Sequence, residues 1–211
     1  HLADVVHGTI HYSGIEGEII GTPAFNRLHN ILQSSLVYLT YPSNKVKRFE
    51  HSVGTMKLAG DLFYHSVCNT EDINEYNKFF SAIKDEIIKW RRETKHDDVS
   101  FIRDYVYYSK YPEDSILQAP VPWCRLYNMY MPGNLKSEDK LAYFVVFQAV
   151  RLCGLLHDVG HLPYSHVLES FLKKLFKEIN AKKEADLSLK EQRFKNILST
   201  FITEKQDKPV D

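Results

Sequence analysis

The sequence has no surplus of charge of either sign: Lys plus Arg number 27, and so do Asp plus Glu. A general nucleic-acid coat draws its affinity from excess cations, so that class is not favoured, and nucleic acid stays a partner only through a local basic patch. Cysteine is scarce as well. Cys68, Cys124 and Cys153 are odd in number, far apart and without a CxxC pair, which argues against a structural zinc knot and for a reducing compartment. The expected location is cytoplasmic, with the nucleus compatible. Long hydrophobic runs are missing too. The longest apolar stretch, Leu141 to Leu156, is interrupted by Gln148 and Arg151 and is too short to cross a bilayer, so no membrane partner is expected. No signal peptide, internal repeat or low-complexity segment is visible.

What is present is the composition of an ordinary globular chain. Of 211 residues, 44% are apolar and 26% charged, enough for one generous domain or two small ones with a substantial core. With His1 in place of Met and an Asp/Lys-rich tail, the chain is expected to be trimmed or one piece of a longer protein, its N-terminal part. Residues 8 to 20, with β-branched side chains among glycines, suit a short strand or two with tight turns. Thr22-Pro23 supplies an N-cap and a first-turn proline. Phe25, Leu28, Ile31, Leu32, Leu36 and Leu39 then recur at helical spacing, which predicts one amphipathic helix over 23–40. Further helices are expected over 49–67, with Phe49, Val53, Met56, Ala59, Gly60 and Phe63 inward, and over 72–92. Residues 93 to 136, rich in proline and tyrosine, are expected to be loops with a short hairpin around 101–108. A long buried helix over 138–158 and two more near 165–181 and 188–204 complete a mainly helical, all-α chain with a short N-terminal β element. The lysines of the last two helices form a solvated face.

The stretch "GLLHDVGH", residues 154 to 161, puts His157 and Asp158 at the end of a greasy helix, with His161 one turn on. Burying such groups costs free energy unless something pairs with them. Neighbouring side chains lie about 100° apart around a helix, and a helix end lets the backbone turn both toward one point. Imidazole and carboxylate are good ligands for a borderline divalent cation, which would offset the burial. His161, four residues on, is expected on the same face, roughly 6 Å along the axis. The alternative is a buried His–Asp pair satisfied by hydrogen bonds. Upstream, "KRFEHSVG", residues 47 to 54, sets His51 on an apolar helix.

Taken together, "RFEHSVG" and "LLHDVGHLPYSH" resemble the HD-domain metal-dependent phosphohydrolases, and more narrowly their deoxynucleoside triphosphate triphosphohydrolase branch. "DVVHGTIHY" is similar to that branch's opening, and "TPAFNRLHNILQSSLVYLTYP" to its next helix; the likeness covers residues 4 to about 60 and 141 to about 170. The resemblance implies a single HD-type helical domain over 1–211, with 69–137 as a loop-rich insertion. It implies one divalent metal held by His51, His157 and Asp158; this donor set suits Mn, Fe, Zn or Ni better than Mg. It implies substrate contacts from Arg48 and Gln33, and catalytic roles for His161, His166 and, through orientation of His161, Glu169. A nucleotide substrate and a homo-oligomer are implied as partners.

The sequence departs from the family pattern at several positions. Ser34 stands where a leucine usually crowds a ribose 2′-hydroxyl, which puts deoxyribose preference in doubt. Glu169 stands where an aspartate is usual, and Lys190 where a histidine is expected. Gly21, Asn26 and His29 occupy the positions of an acidic base-reader, a glutamine and an arginine at an allosteric nucleotide site. The family's fourth ligand is a downstream aspartate, but Asp186, Asp207 and Asp211 stand in no matching context. Either it lies beyond residue 211 or the set is incomplete. Two rival readings follow: another HD phosphohydrolase (nucleotidase, phosphodiesterase or nuclease), or a nucleotide-binding regulatory module without turnover.

Overall fold

The computed structural model describes residues 1–93, 125–133 and 135–202. Two short antiparallel strands come first, β1 (Leu2–Asp4) and β2 (Gly8–Ile10), with Leu2 opposite Ile10. The Asp4 carboxylate accepts the backbone N–H groups of Val6 and His7. Gly8 closes the turn at φ +68°, a backbone angle that glycine adopts without strain.

Beyond Ile10 the expected β character ends, because residues 14–20 form a helix, α1 (Gly14–Ile20). A capping box decides it. Ser13 Oγ accepts the Glu16 N–H at 3.3 Å, and the Glu16 carboxylate accepts the Ser13 N–H at 2.8 Å. The helix expected over 23–40 is also corrected. Thr22 caps α2 (Pro23–Asn26) as anticipated, but a 3-10 turn (Arg27–Asn30) follows, and a second one spans only Val37–Leu39. Between them Ser35 is left-handed at φ +53°, and the Gln33 N–H bonds to the Val46 carbonyl, not back along a helix. Phe25, Leu28 and Ile31 are buried as their spacing suggests, while Leu36 and Leu39 are exposed.

The later helices are α3 (Arg48–Cys68), α4 (Ile73–Glu93), α5 (Arg125–Met129), α6 (Lys140–Leu156), α7 (Ser165–Asn180) and α8 (Leu189–Ile202). All but α5 follow the apolar periodicity closely; α5 corrects the loop expectation for 93–136, a five-residue helix that buries Leu126 in the core. The described residues are mostly helical with one two-stranded sheet, in agreement with the all-α expectation. Most of the 93–136 segment, including the expected hairpin around 101–108, lies outside the described residues. So do Cys124, Asp207 and Asp211.

The fold divides into two compact units. One comprises His1–Asn30 with the described residues of Lys47–Gly160, and the other Ile31–Val46 with those from His161 onward. In the first unit α3 and α6 form the dominant helix pair and run antiparallel, since Gly60 faces Arg151 while Gly154 faces Met56. A Cβ on Gly154 would stand 3.0 Å from the Met56 Cα and the Thr55 carbonyl oxygen, so the backbones meet where no side chain fits. α6 is not buried all round. Leu141, Ala142, Tyr143, Phe147 and Leu155 face the core, whereas Val145 and Leu156 are exposed.

Residues of the 69–137 segment belong to this core: Phe80 of α4 and Leu126 of α5 cluster with Val67, Tyr143 and Phe147. Two of its tyrosines have plain packing roles. Tyr127 stands edge-on to Phe144 and donates to Gln148, and Tyr130 donates to Asp61 at 2.6 Å. Gln148 and Arg151, the polar interruptions of α6, meet a fully buried acid. Arg151 Nε and Nη2 lie 2.7 and 3.0 Å from the two Glu16 oxygens, and Gln148 adds a bond of 2.8 Å. This fork holds α1 against α6; removing one member of such a buried pair costs about 3–5 kcal/mol. In the second unit Phe176, Ile179 and Leu187 are buried around α7 and α8.

Candidate metal centre

The close approach of α3 and α6 sets the site. His51 lies in the first turn of α3, and His157 is the residue that ends α6, its N–H still bonded to the Cys153 carbonyl. The Nε2 atoms of His51 and His157 are 3.2 Å apart. Asp158 Oδ2 lies 3.7 Å from the first and 3.5 Å from the second. Among the described residues this is the one group of three or more His, Cys, Asp or Glu side chains whose donor atoms all lie within 4.8 Å.

The triangle fits a cation. Donors about 2.0–2.2 Å from a metal stand about 3.0–3.6 Å from one another at octahedral or tetrahedral angles. The tautomer is suited as well. His157 Nδ1 is 2.7 Å from the Gly154 carbonyl oxygen, which accepts its N–H and leaves the Nε2 lone pair facing the other donors. Burial holds the His51 pKa below its ordinary value, and His157 and Arg48 add to this against the opposing pull of Asp158. Its imidazole is therefore biased toward the neutral, ligating form.

Burial of the motif differs from expectation. The His157 side chain is 38% exposed, because the helix stops at Leu156, and only Asp158 is buried, at 8%. A compensating charge on Asp158 comes from Arg48, whose Nη1 is 2.5 Å from Oδ2 and whose side chain is 4% exposed. The residue expected on substrate thus also grips the carboxylate of the candidate ligand set. Because α6 ends at Leu156 and residues 157–160 are turn, the helical register expected from His157 to His161 does not apply.

Gln33, His161, His166 and Glu169 belong to the second unit. There His161 Nδ1 lies 3.3 Å from Glu169 Oε1, so the longer acid does reach the imidazole. His166 stands in the first turn of α7, after Tyr164 at φ +67°. Gln33 Oε1 is buried with no hydrogen-bond partner among the described residues, an uncommon state for a polar atom. Lys190 is exposed in the first turn of α8, and Asp186 is exposed on a 3-10 turn. The three positions matched to an allosteric site have local duties: Gly21 ends α1, Asn26 donates to the Ile20 and Thr22 carbonyls, and His29 stacks on Phe49 at 3.6 Å.

Sequence reasoning missed Gly154, whose missing side chain lets the two ligand-bearing helices touch. A glycine inside an apolar helix was the available signal. It also missed Arg27, whose guanidinium donates to the Val159 carbonyl beside Asp158. No spacing announces a contact across 132 residues.

The chain is similar to an uncharacterized protein of Methanocaldococcus jannaschii, 46% identical over 61 residues that make up 29% of this chain and 14% of that protein. It is 25% identical over 167 residues to a putative HD domain-containing protein of Acanthamoeba polyphaga mimivirus, covering 79% of this chain and 24% of that one. Deoxynucleoside triphosphate triphosphohydrolase SAMHD1 of Danio rerio is 34% identical over 85 residues, covering 40% and 12%. These relatives support an HD-domain hydrolase superfamily. The chain spans about a quarter or less of the length of each of the three. No family model and no solved structure matches it. No helix among the described residues is long and apolar enough to cross a membrane.

Proposed function

We propose that this chain is a metal-dependent phosphohydrolase of nucleotides, releasing nucleoside and triphosphate from a nucleoside triphosphate. The observation that carries the reading is the triangle of two imidazole nitrogens and one carboxylate oxygen, 3.2 to 3.7 Å on a side, with the tautomer of His157 fixed from behind. The resemblance to the zebrafish enzyme supports the substrate class. A divalent cation bound there supplies Lewis acidity toward a phosphoryl oxygen and acidifies a water molecule.

The protein's own groups then bind, orient and move protons. Arg48 fixes the Asp158 carboxylate and brings positive charge to where phosphate charge grows. Gln33 takes the sugar-hydroxyl contact that the family resemblance implies. His161, oriented by Glu169, and His166 serve the phosphate oxygens and the leaving oxygen. In the reaction the water oxygen bonds to the α-phosphorus, the bond from phosphorus to the sugar oxygen breaks, and that oxygen takes up a proton. Ser34 leaves the choice between ribose and deoxyribose to experiment. A homo-oligomer and a cytoplasmic location complete the proposal.

A nucleotide-binding module without turnover is the second reading. The Arg48–Asp158 pair favours it, since the carboxylate already has a cation beside it. Product analysis separates the readings. Purified protein is incubated with Mn²⁺ and a panel of ribo- and deoxyribonucleotides, and the products are identified by chromatography. Nucleoside plus triphosphate is the expected outcome. Monophosphate or orthophosphate assigns another HD phosphohydrolase chemistry, and nucleotide binding without hydrolysis at any divalent metal assigns the module.

A further inference from the structure

Two of the three candidate ligands, His157 and Asp158, sit on a turn and not on a helix. α6 ends at Leu156, and the turn closes on itself through the Val159 N–H bond to the Leu156 carbonyl at 3.1 Å. Beyond it comes Gly160, around which a Cβ would meet nothing within 4 Å, so side-chain packing at that position holds nothing in place. Metal sites tolerate only about 0.2 Å of error in donor distance. A turn of this kind needs an external restraint.

Arg27 supplies one. Its Nη2 donates to the Val159 carbonyl oxygen, the acceptor directly after Asp158. Such a charge-assisted bond is about twice as strong as a neutral one. Arg27 is itself well anchored, flanked by the fully buried Phe25 and Leu28. The preceding turn is locked by the Thr22 cap and by the Asn26 amide on the Ile20 and Thr22 carbonyls. Asp158 is thus held twice, through its side chain by Arg48 and through its following peptide by Arg27.

We infer that Arg27 is a positioning residue of the metal centre, acting through the backbone of the turn that carries His157 and Asp158. The inference rests on the metal reading above. Arg27 reaches the centre through the Val159 carbonyl, and replacing it leaves the His51, His157, Asp158 and Arg48 side chains themselves unaltered. Its loss shows in the affinity for metal, independently of any activity.

The test uses the full chain, with Mn²⁺ as the probe and the unbound ion counted by its paramagnetic resonance signal. Arg27→Gln is expected to weaken the Mn²⁺ Kd by on the order of 10–100-fold, the usual effect of losing an outer hydrogen-bond partner. The metal-free unfolding temperature should change little. Arg27→Lys keeps a charged donor of similar reach and is expected to recover part of the loss. Folded Arg27→Gln protein with a Kd within about threefold of the parent would overturn the inference. If Arg27→Gln does not fold, Arg27→Lys decides: a weakened Kd supports the role and an unchanged one overturns it. Failure of both variants to fold assigns Arg27 to stability alone and also overturns it. A parent chain that binds no Mn²⁺ instead rejects the metal reading itself, a result distinct from any Arg27 effect.

Discussion

Arg48 and Asp158 meet at 2.5 Å with side chains 4% and 8% exposed, so removing either takes from the other a close opposite charge in a place water hardly reaches. His157, by contrast, stands at the surface, 38% exposed, with its Nδ1–H on the Gly154 carbonyl. The two halves of the motif therefore separate binding from folding. Asp158→Ala is expected to lose metal and also to destabilise the chain by about 3 kcal/mol, the low end for breaking a buried pair. His157→Ala should lose metal at a cost of about 1 kcal/mol or less. Urea unfolding of both variants, with metal content measured alongside, checks this. Equal stability losses would mean that Asp158 is not the electrostatic anchor described here. These residues were visible in the sequence because imidazole and carboxylate rarely end an apolar run, and because a second histidine motif stood upstream. Arg48 as the partner of Asp158 was not visible. Patterns within a window cannot pair residues 110 positions apart.

At the scale of elements, the distance between His51 and His157 is set by how closely α3 and α6 pack. Gly154→Ala would put a methyl group 3.0 Å from backbone atoms of Thr55 and Met56, which cannot turn aside. A loss of about 1–3 kcal/mol is expected, the range for overpacking, together with weakened metal binding as the helices part. Gly54→Ala on α3 would meet only the His7 ring, a side chain that can move, and should cost less. Thermal unfolding of both variants and their metal affinities test the comparison. A Gly154→Ala protein with unchanged stability and affinity would refute the close-contact account.

The same scale shows what periodicity can and cannot reveal. α3, α4, α6, α7 and α8 were legible because apolar residues repeated every three to four positions over fourteen residues or more. Short elements were not: α5 lay in a proline- and tyrosine-rich stretch expected to be loops, and two others were misjudged. In α1 the isoleucines and glycines suggested strand, while the deciding feature was the Ser13–Glu16 capping box and the burial of Glu16 against Arg151. From 23 to 40 the spacing looked helical, yet Ser35 took a left-handed angle and Gln33 bonded to Val46.

For the whole molecule, alkaline stability follows from the first unit's core. Burial and the hydrogen bond to Asp61 push the Tyr130 hydroxyl from its ordinary 10 up to about 12, and burial raises Tyr143 as well. A tyrosine raised in the folded state stays protonated there while the unfolded chain ionises. Stability should thus be level below pH 10 and fall as pH rises from 10 toward 12. Tyr130→Phe should lose part of that slope, with Tyr143 and Tyr76, also raised by burial, contributing to what remains. Denaturant titrations from pH 8 to 12 check it, and an unchanged slope in Tyr130→Phe would count against the coupling to Asp61.

The most direct test of the metal centre is anomalous diffraction from crystals grown with Mn²⁺, with data collected at the manganese edge. The account predicts one peak inside the triangle, about 2.0–2.3 Å from His51 Nε2, His157 Nε2 and an Asp158 oxygen. A map in which those three side chains keep their positions with no peak between them, or with the ion held elsewhere, would contradict it.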